Sequence, residues 1–319
     1  MTLLAKPALA GSKQSVKLAS RNPHRKSIKM FKRVGIFTKN DGPAVAETFN
    51  TTITVLKKRG CEVFLCGDIP KGISRAGSTF LEQHEVAQSC DLIISVGGDG
   101  TLLICARLIY PQDVALMGIN LGRLGFLTDL QPDRIETELN SILKGAFETE
   151  KRGVLGYEVI RSGEKIVSGD ALNDVVVSKW NTARLITLNT YVNGKFLHSQ
   201  RSDGMLVATP TGSTAYALSG GGPILDPDVA ALVLVPICPH TLTNRPIVVK
   251  DTACIEILVA TDRQNESRIM CDGNSILDLN PDDRVKVFRR SQSIRLIHPA
   301  NHDHFATLRA KLNWGQNPC

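Results

Sequence analysis

The sequence lacks any apolar run long enough to cross a bilayer as a helix: the longest, 229–238, falls well short of the roughly 20 residues required and is interrupted by Pro236. It lacks a secretory signal and a Cys-x-x-Cys pair, so its eight cysteines, mostly set inside apolar runs, read as reduced, buried thiols. Cys61 and Cys66 have no second pair with which to complete a structural zinc site. There is no acidic residue among the first 40, where ten of the 38 Lys and Arg residues sit, leaving 28 cations against 31 acids in the rest. The net charge of +7 therefore belongs to the beginning of the chain, and the body has no cation excess with which to displace counterions from a nucleic acid. Neither a nucleic acid nor a membrane is expected as a partner, and the expected location is the cytoplasm.

What is present is material for two domains: 319 residues, 42% hydrophobic and only 22% charged. Residues 1–30 read as a basic, disordered tail, open also to reading as a transit peptide or as upstream sequence, since Met30 stands just before the first strand-like run. From 34 onward short apolar runs alternate with helical periodicity, with strands at 34–37, 62–65, 91–96 and 115–119 and helices at 45–59, 102–109 and 134–143. That alternation predicts an α/β, Rossmann-like N-terminal domain over 31–130. Beyond it come closely spaced strand candidates, at 157–160, 174–178, 185–192, 205–208, 254–259 and 285–288, which predict an all-β, sandwich-like domain over 131–294. The end, 295–319, is expected to return to the first domain.

The third strand runs straight into Gly97-Gly98-Asp99-Gly100-Thr101. Glycines between a buried strand and a helix let backbone approach a ligand closely, and a helix N-terminus favours anions, so the loop suits phosphates. It is not a Walker loop, because the nearest spacing match, Gly72 with Gly77-Ser78-Thr79, has no lysine. Nor is it the dinucleotide fingerprint, which needs a glycine where Leu103 stands. An aspartate beside bound phosphates has one obvious use, as proton acceptor for an attacking hydroxyl; a lone Gly-Asp-Gly can also be a plain turn. A second glycine-rich stretch holds Asp203-Gly204, Thr209-Pro210-Thr211-Gly212-Ser213-Thr214-Ala215-Tyr216 and Gly220-Gly221-Gly222-Pro223. Its density of hydroxyls and small residues suits a sugar and base, with Tyr216 open to stacking or to simple packing. His302-Asp303-His304 reads as a polar loop, and His198 as a satisfied strand-end residue.

Taken together these residues resemble the NAD kinase family, from about residue 34 to Trp314. Besides the two glycine-rich stretches, the resemblance is carried by Asn120-Leu121-Gly122-Arg123-Leu124-Gly125-Phe126-Leu127-Thr128-Asp129 and by Ala171-Leu172-Asn173-Asp174-Val175-Val176. The phosphate loop alone is shared with diacylglycerol-type lipid kinases and, in variant form, phosphofructokinases; the four blocks in this order are specific. The resemblance implies transfer of a phosphoryl group from ATP to the adenosine-ribose 2′-hydroxyl of NAD+, with Asp99 as proton acceptor. Gly97, Gly98, Gly100, Thr101 and Phe126 are then implied in nucleotide binding. Asn173 and Asp174 match an Asn-Glu pair with a carboxylate one methylene shorter. Arg184, Arg201 and Asp203 are implied to face the nucleotide, and Thr214, Ala215, Tyr216 and Ser219 to wrap its adenosine. Asn274 follows an Asp-Gly turn where Gln is common. Arg201 implies preference for the oxidised dinucleotide. Mg2+ or another divalent cation is implied to arrive with ATP, with no metal-ligating residue of the protein, and assembly as homodimer or homotetramer is expected.

Overall fold

A computed structural model of the chain describes residues 31–315 except 75–76, 123–124, 182 and 261–265. The basic tail, Met30, Arg123-Leu124 and Cys319 lie outside the described residues. In the first half, β1 (Arg33–Thr38), β2 (Glu62–Gly67), β3 (Thr79–Leu81), β4 (Leu92–Gly97) and β5 (Ala115–Asn120) pair in parallel. Helices α1 (Pro43–Lys58), α2 (Val86–Ser89), α3 (Asp99–Ile109) and α4 (Ile135–Leu143) accompany them. Every residue of β4 and β5 is buried. Both faces of the sheet are covered: Phe49, Ile53 and Leu56 of α1 with Ile135 and Leu139 of α4 on one, Leu102, Ala106 and Ile109 of α3 on the other. Strands covered twice read as continuous apolar runs rather than alternations, which is why they were visible in the sequence.

In the second half, β6 (Phe147–Arg161), β7 (Glu164–Ala171), β9 (Ile186–Val192), β10 (Lys195–Ser202), β14 (Ile255–Val259) and β17 (Arg284–Pro299) continue the first sheet to eleven strands. The remaining strands, β8 (Asp174–Lys179), β11 (Gly204–Ala208), β12 (Ala231–Ile237), β13 (Ile247–Lys250), β15 (Ser267–Cys271) and β16 (Asn274–Leu279), form an antiparallel sheet in the order β13-β12-β11-β8-β15-β16. The two sheets close on a core that includes Val175, Val177, Ile186, Leu188, Met205, Val207, Ile255 and Val285. Alternating burial along β9, β14 and β15 marks these as half-buried sandwich strands. Short helices α5 (Tyr216–Ser219) and α6 (His304–Leu312) complete the fold.

The α/β and β-sandwich classes are as predicted, but the halves are not separate sheets. β17 starts antiparallel to β14, shifts register between Arg289 and Ser293, and ends parallel to β5 through Arg295 and Leu296. Pattern reading found only 157–160 and 285–288 of β6 and β17, because the joined portions carry Glu148, Glu150, Lys151, Arg152, Arg289 and Arg290 and have no clean alternation. Helix α3 begins at Asp99, three residues before the apolar periodicity starts, since the glycines around Asp99 hide its first turn. Of the described cysteines, Cys66, Cys90, Cys105 and Cys271 are buried, and burial pushes Cys66 and Cys90 up to about 12. Cys61 and Cys254 are half-buried and Cys238 is exposed just past the end of β12, so burial is not general.

Candidate active site

β4 lies between β1 and β5. Its last residue, Gly97, and Gly98 deliver the chain into α3 at the carboxyl edge of the parallel strands, the edge where open α/β sheets bind ligands. Gly98 and Gly100 are exposed, Thr101 is buried, and Asp99, in the first helical turn, is half-exposed. The Asp99 carboxylate is held from one side: Oδ2 accepts from Phe126 N at 2.8 Å, and Oδ1 accepts from Leu127 N at 3.1 Å and from the Thr128 hydroxyl at 3.1 Å. A carboxylate has about four lone-pair sites, so acceptor capacity remains for one more donor. Gly125 makes this approach feasible, because a Cβ there would overlap Asp99 Oδ1 and Thr128 Oγ1 and stand 2.9 Å from Asp99 Cγ.

One turn further along α3, Leu103 walls a cavity of about 440 Å3 together with Asn173, Asp174, Ala215, Tyr216 and Asp272. The α/β half and the β-rich half thus meet here, and four residues implied by resemblance line one space. Asn173 Oδ1 is buried with no partner among the described residues. Gly212 packs against the Asn173 backbone, where a Cβ would overlap the carbonyl and stand 2.8 Å from Cα. Tyr216 is 43% exposed, so its ring is available to a ligand. The other implied residues do not line this cavity. Arg184 and Arg201 are exposed, Thr214 is half-buried and bonds Thr211 O, and Ser219 is exposed at the end of α5. Asn274 donates back to Cys271 O and Asp272 O, and Asp203 pairs with Lys179 Nζ at 2.8 Å.

The least visible organiser is Asp272. Its side chain is fully buried, and its carboxylate accepts from the amides of Leu172 (3.0 Å), Asn173 (2.7 Å) and Asp174 (3.3 Å) and from Arg107 of α3 (3.0 Å). It sits with Gly273 at positive φ (46° and 76°) in the tight β15–β16 turn, so one Asp-Gly pair both turns a hairpin and clamps the Asn173-Asp174 segment to α3. Asp272→Ala leaves three amides and a guanidinium without their acceptor; we expect a loss of about 3–5 kcal/mol in chemical denaturation.

Burial, and then the Asp272 charge beside it, raise the Asp174 carboxyl from 3.8 to about 7. The folded chain therefore keeps a proton that the unfolded chain has already released, so stability falls as pH rises from near 4 through about 7. The expected slope amounts to a difference on the order of a few kcal/mol. Urea unfolding of the unliganded protein at pH values on either side should show it, and Asp174→Asn should flatten it and stabilise the protein at neutral pH.

Sequence reasoning missed several other contributors. Lys39, just past β1, brings Nζ to 3.8 Å from where a Cβ on Gly100 would stand, and Lys311 of α6 lies 5.1 Å from the Phe126 ring centroid. Lys39 thus stands beside the Gly97–Thr101 loop and Lys311 beside the Phe126 segment that holds Asp99, and the only sequence signal of either was a position at an element end. His198 is not a satisfied residue: its Nε2 is buried without a partner among the described residues, and burial lowers the imidazole below its ordinary range. A charged network also runs beside the cradle. Burial opposes the charged forms of Asp129, Glu150 and His298, but their mutual bonds outweigh it, lowering Asp129, lowering Glu150 to about 2 and raising His298 to about 9. Glu150 pairs with Arg152, which donates to Thr211 Oγ1 at 3.2 Å in the glycine-rich stretch.

Comparison with known proteins matches residues 34–147 to the ATP-NAD kinase N-terminal domain and 172–299 to the ATP-NAD kinase C-terminal domain. The NAD kinase of Nitrosococcus oceani is 43% identical over 90% of this chain and 98% of its own length. That of Aromatoleum aromaticum is 42% identical over 91% and 96%. Among solved structures, an NAD kinase from Archaeoglobus fulgidus in complex with ATP superposes with a TM-score of 0.69 at 27% identity, covering 87% of this chain and 99% of that one. Yeast NADH kinase complexed with NADH shares the fold, with a TM-score of 0.81 at 24% identity over 90% and 89%.

Proposed function

This chain belongs to the NAD kinase family, and on that basis we propose how its cleft divides the work: Asp99 takes the proton of the ribose hydroxyl while residues on either side hold the two substrates. The reaction is phosphoryl transfer from ATP to NAD+, giving NADP+ and ADP. In this reading the α/β part, 31–130 with 295–319, holds the donor phosphates at Gly97, Gly98, Gly100 and Thr101. The β-rich part, 131–294, holds the dinucleotide. The observation that carries the mechanism is the one-sided cradle of Asp99, which fixes the carboxylate and leaves acceptor capacity toward a hydroxyl.

The orphaned Oδ1 of Asn173 calls for a ligand donor, and a protonated Asp174 can itself donate to one. The exposed Tyr216 ring offers a face for adenine, with Thr214, Ala215 and Ser219 beside it on the same turn. Arg184, Arg201 and the Lys179-Asp203 pair supply charge around the pyrophosphate and ribose, with Phe126 and Asn274 at the rim; Arg201 favours NAD+ over NADH. The loop presents glycine backbone and a carboxylate already engaged on one side, a set suited to a triphosphate that carries its own Mg2+. That ion supplies charge compensation on the transferred phosphoryl group. The same reading places a homodimer or homotetramer in the cytoplasm; no described helix is long and apolar enough to cross a membrane.

The test is direct: purified protein with ATP, Mg2+ and NAD+ or NADH, quantifying the phosphorylated dinucleotide. NADP+ formation is expected, faster than NADPH formation. Dinucleotide binding without turnover under any phosphate donor would refute the reading.

A further inference from the structure

Behind the Asp99 cradle, three segments distant in sequence bring metal-ligating atoms together. Asp129 directly follows the cradle, His298 is near the end of β17, and His302 lies in the turn before α6. His298 Nδ1 is hydrogen-bonded to Asp129 Oδ2, and His302 Nδ1 lies 3.3 Å from the same oxygen. The two rings stack at 4.1 Å, and the three ligand atoms lie within 4.8 Å of one another. The other nitrogen of His298, Nε2, is 3.0 Å from Glu150 Oε2, which pairs with Arg152 at 2.7 Å. A histidine that ligates through one nitrogen and donates from the other to an anchored carboxylate has the outer-shell support typical of metal sites. His298 and His302, though not Asp129, line a cavity of about 500 Å3 whose wall also carries Glu148, Glu150, Lys151, Asp226, Asp228 and His304. His304 Nε2 is buried without a partner among the described residues.

A charged His298 between two carboxylates would by itself account for His298. It does not account for a second imidazole aimed at the same Asp129 oxygen, nor for the unpartnered nitrogen of His304. We propose that Asp129, His298 and His302 form a binding site for a divalent transition metal of the Zn2+ class, distinct from the Mg2+ that accompanies ATP. Two imidazole nitrogens and one carboxylate oxygen suit Zn2+ and its first-row neighbours, whereas Mg2+ and Ca2+ take oxygen ligands. On binding, the Nδ1 protons of His298 and His302 that face Asp129 leave to solvent, each ring keeping at most the proton on its Nε2, and the ion takes their place, so the contact with Asp129 runs through the metal. The fourth ligand position belongs to water on the cavity side, within the surroundings of His304. The bound ion ties β17 and the start of α6 to the loop that carries the Asp99 cradle, and it takes no part in phosphoryl transfer.

The decisive experiment uses full-length, tag-free protein stripped with a chelator, titrated without nucleotide with Zn2+ by calorimetry and with Co2+ by visible absorption. One ion per chain is expected, with the intense Co2+ bands of a low-coordinate nitrogen–oxygen site. His302→Gln should weaken Zn2+ binding at least about tenfold and abolish the Co2+ bands, while still forming NADP+ at near the parent rate. His298 is buried and its replacement can compromise folding, so the less buried His302 carries the decision. Unchanged Zn2+ affinity in His302→Gln would place the ion elsewhere, for instance on the thiols, and overturn the proposal. So would the lack of saturable binding at micromolar Zn2+ in the parent protein.

Discussion

Asp99→Asn is expected to lower kcat by about 10²–10⁴-fold, the range for a positioned general base, while changing KM for NAD+ far less. Two effects add. In the proposed mechanism the amide removes the anionic acceptor for the ribose proton. It also places an NH2 against one of two backbone donors, either Phe126 N–H or Leu127 N–H, whereas the Thr128 hydroxyl can rotate to accept. One of those contacts becomes donor against donor, and the side chain turns out of its seat. Thr128→Ala separates the two effects, because it loosens the cradle by one bond and keeps the carboxylate. A loss of only about tenfold is expected there, in line with one hydrogen bond to a charged group at the low end of its range, about 1.5 kcal/mol. If Thr128→Ala were as inactive as Asp99→Asn, orientation rather than proton acceptance would be the main contribution of this group.

Gly125→Ala should be nearly as damaging to turnover while leaving the fold in place. The added methyl meets the far ends of two side chains, Asp99 and Thr128, rather than backbone. Those ends can swing aside, so the protein yields by moving the Asp99 carboxylate. We expect kcat to drop by about 10²-fold, as is usual for misplacement by about 1 Å, with a melting temperature close to that of the parent. Gly212 makes the opposite case: its missing Cβ would strike the carbonyl and Cα of Asn173, which are backbone and cannot step aside. A Gly125→Ala protein that is fully active, or one that fails to fold, would show that the cradle is not as close-fitting as described.

The parallel strands were legible because β4 and β5 are covered on both sides and read as unbroken apolar runs, and the Gly97–Thr101 turn because glycine punctuates the passage from strand to helix. Local chemistry singled out Asp99, and the family resemblance added Asn173, Asp174, Ala215 and Tyr216, which line one cavity. What local pattern could not carry is contact across long stretches of chain. Asp272 clamps amides 98 to 100 residues away. His298 meets Asp129 and Glu150 across 169 and 148 residues. The joined length of β6 and β17 was hidden for a related reason: charged residues there are satisfied by partners such as Asp251 for Arg289 and Asp170 for Arg290, so burial leaves no alternation to read. The start of α3 was obscured by glycines that have poor helix propensity but give backbone access at a helix N-terminus.

The central claim is a distance, and a crystal structure of the protein with NAD+ and a non-hydrolysable ATP analogue measures it. An Asp99 carboxylate oxygen should lie about 2.6–3.2 Å from the 2′-oxygen of the adenosine ribose, with the terminal phosphate of the analogue on the far side of that oxygen. A ribose bound with its 2′-oxygen well beyond hydrogen-bond reach of Asp99, and held instead by another residue, would contradict the account.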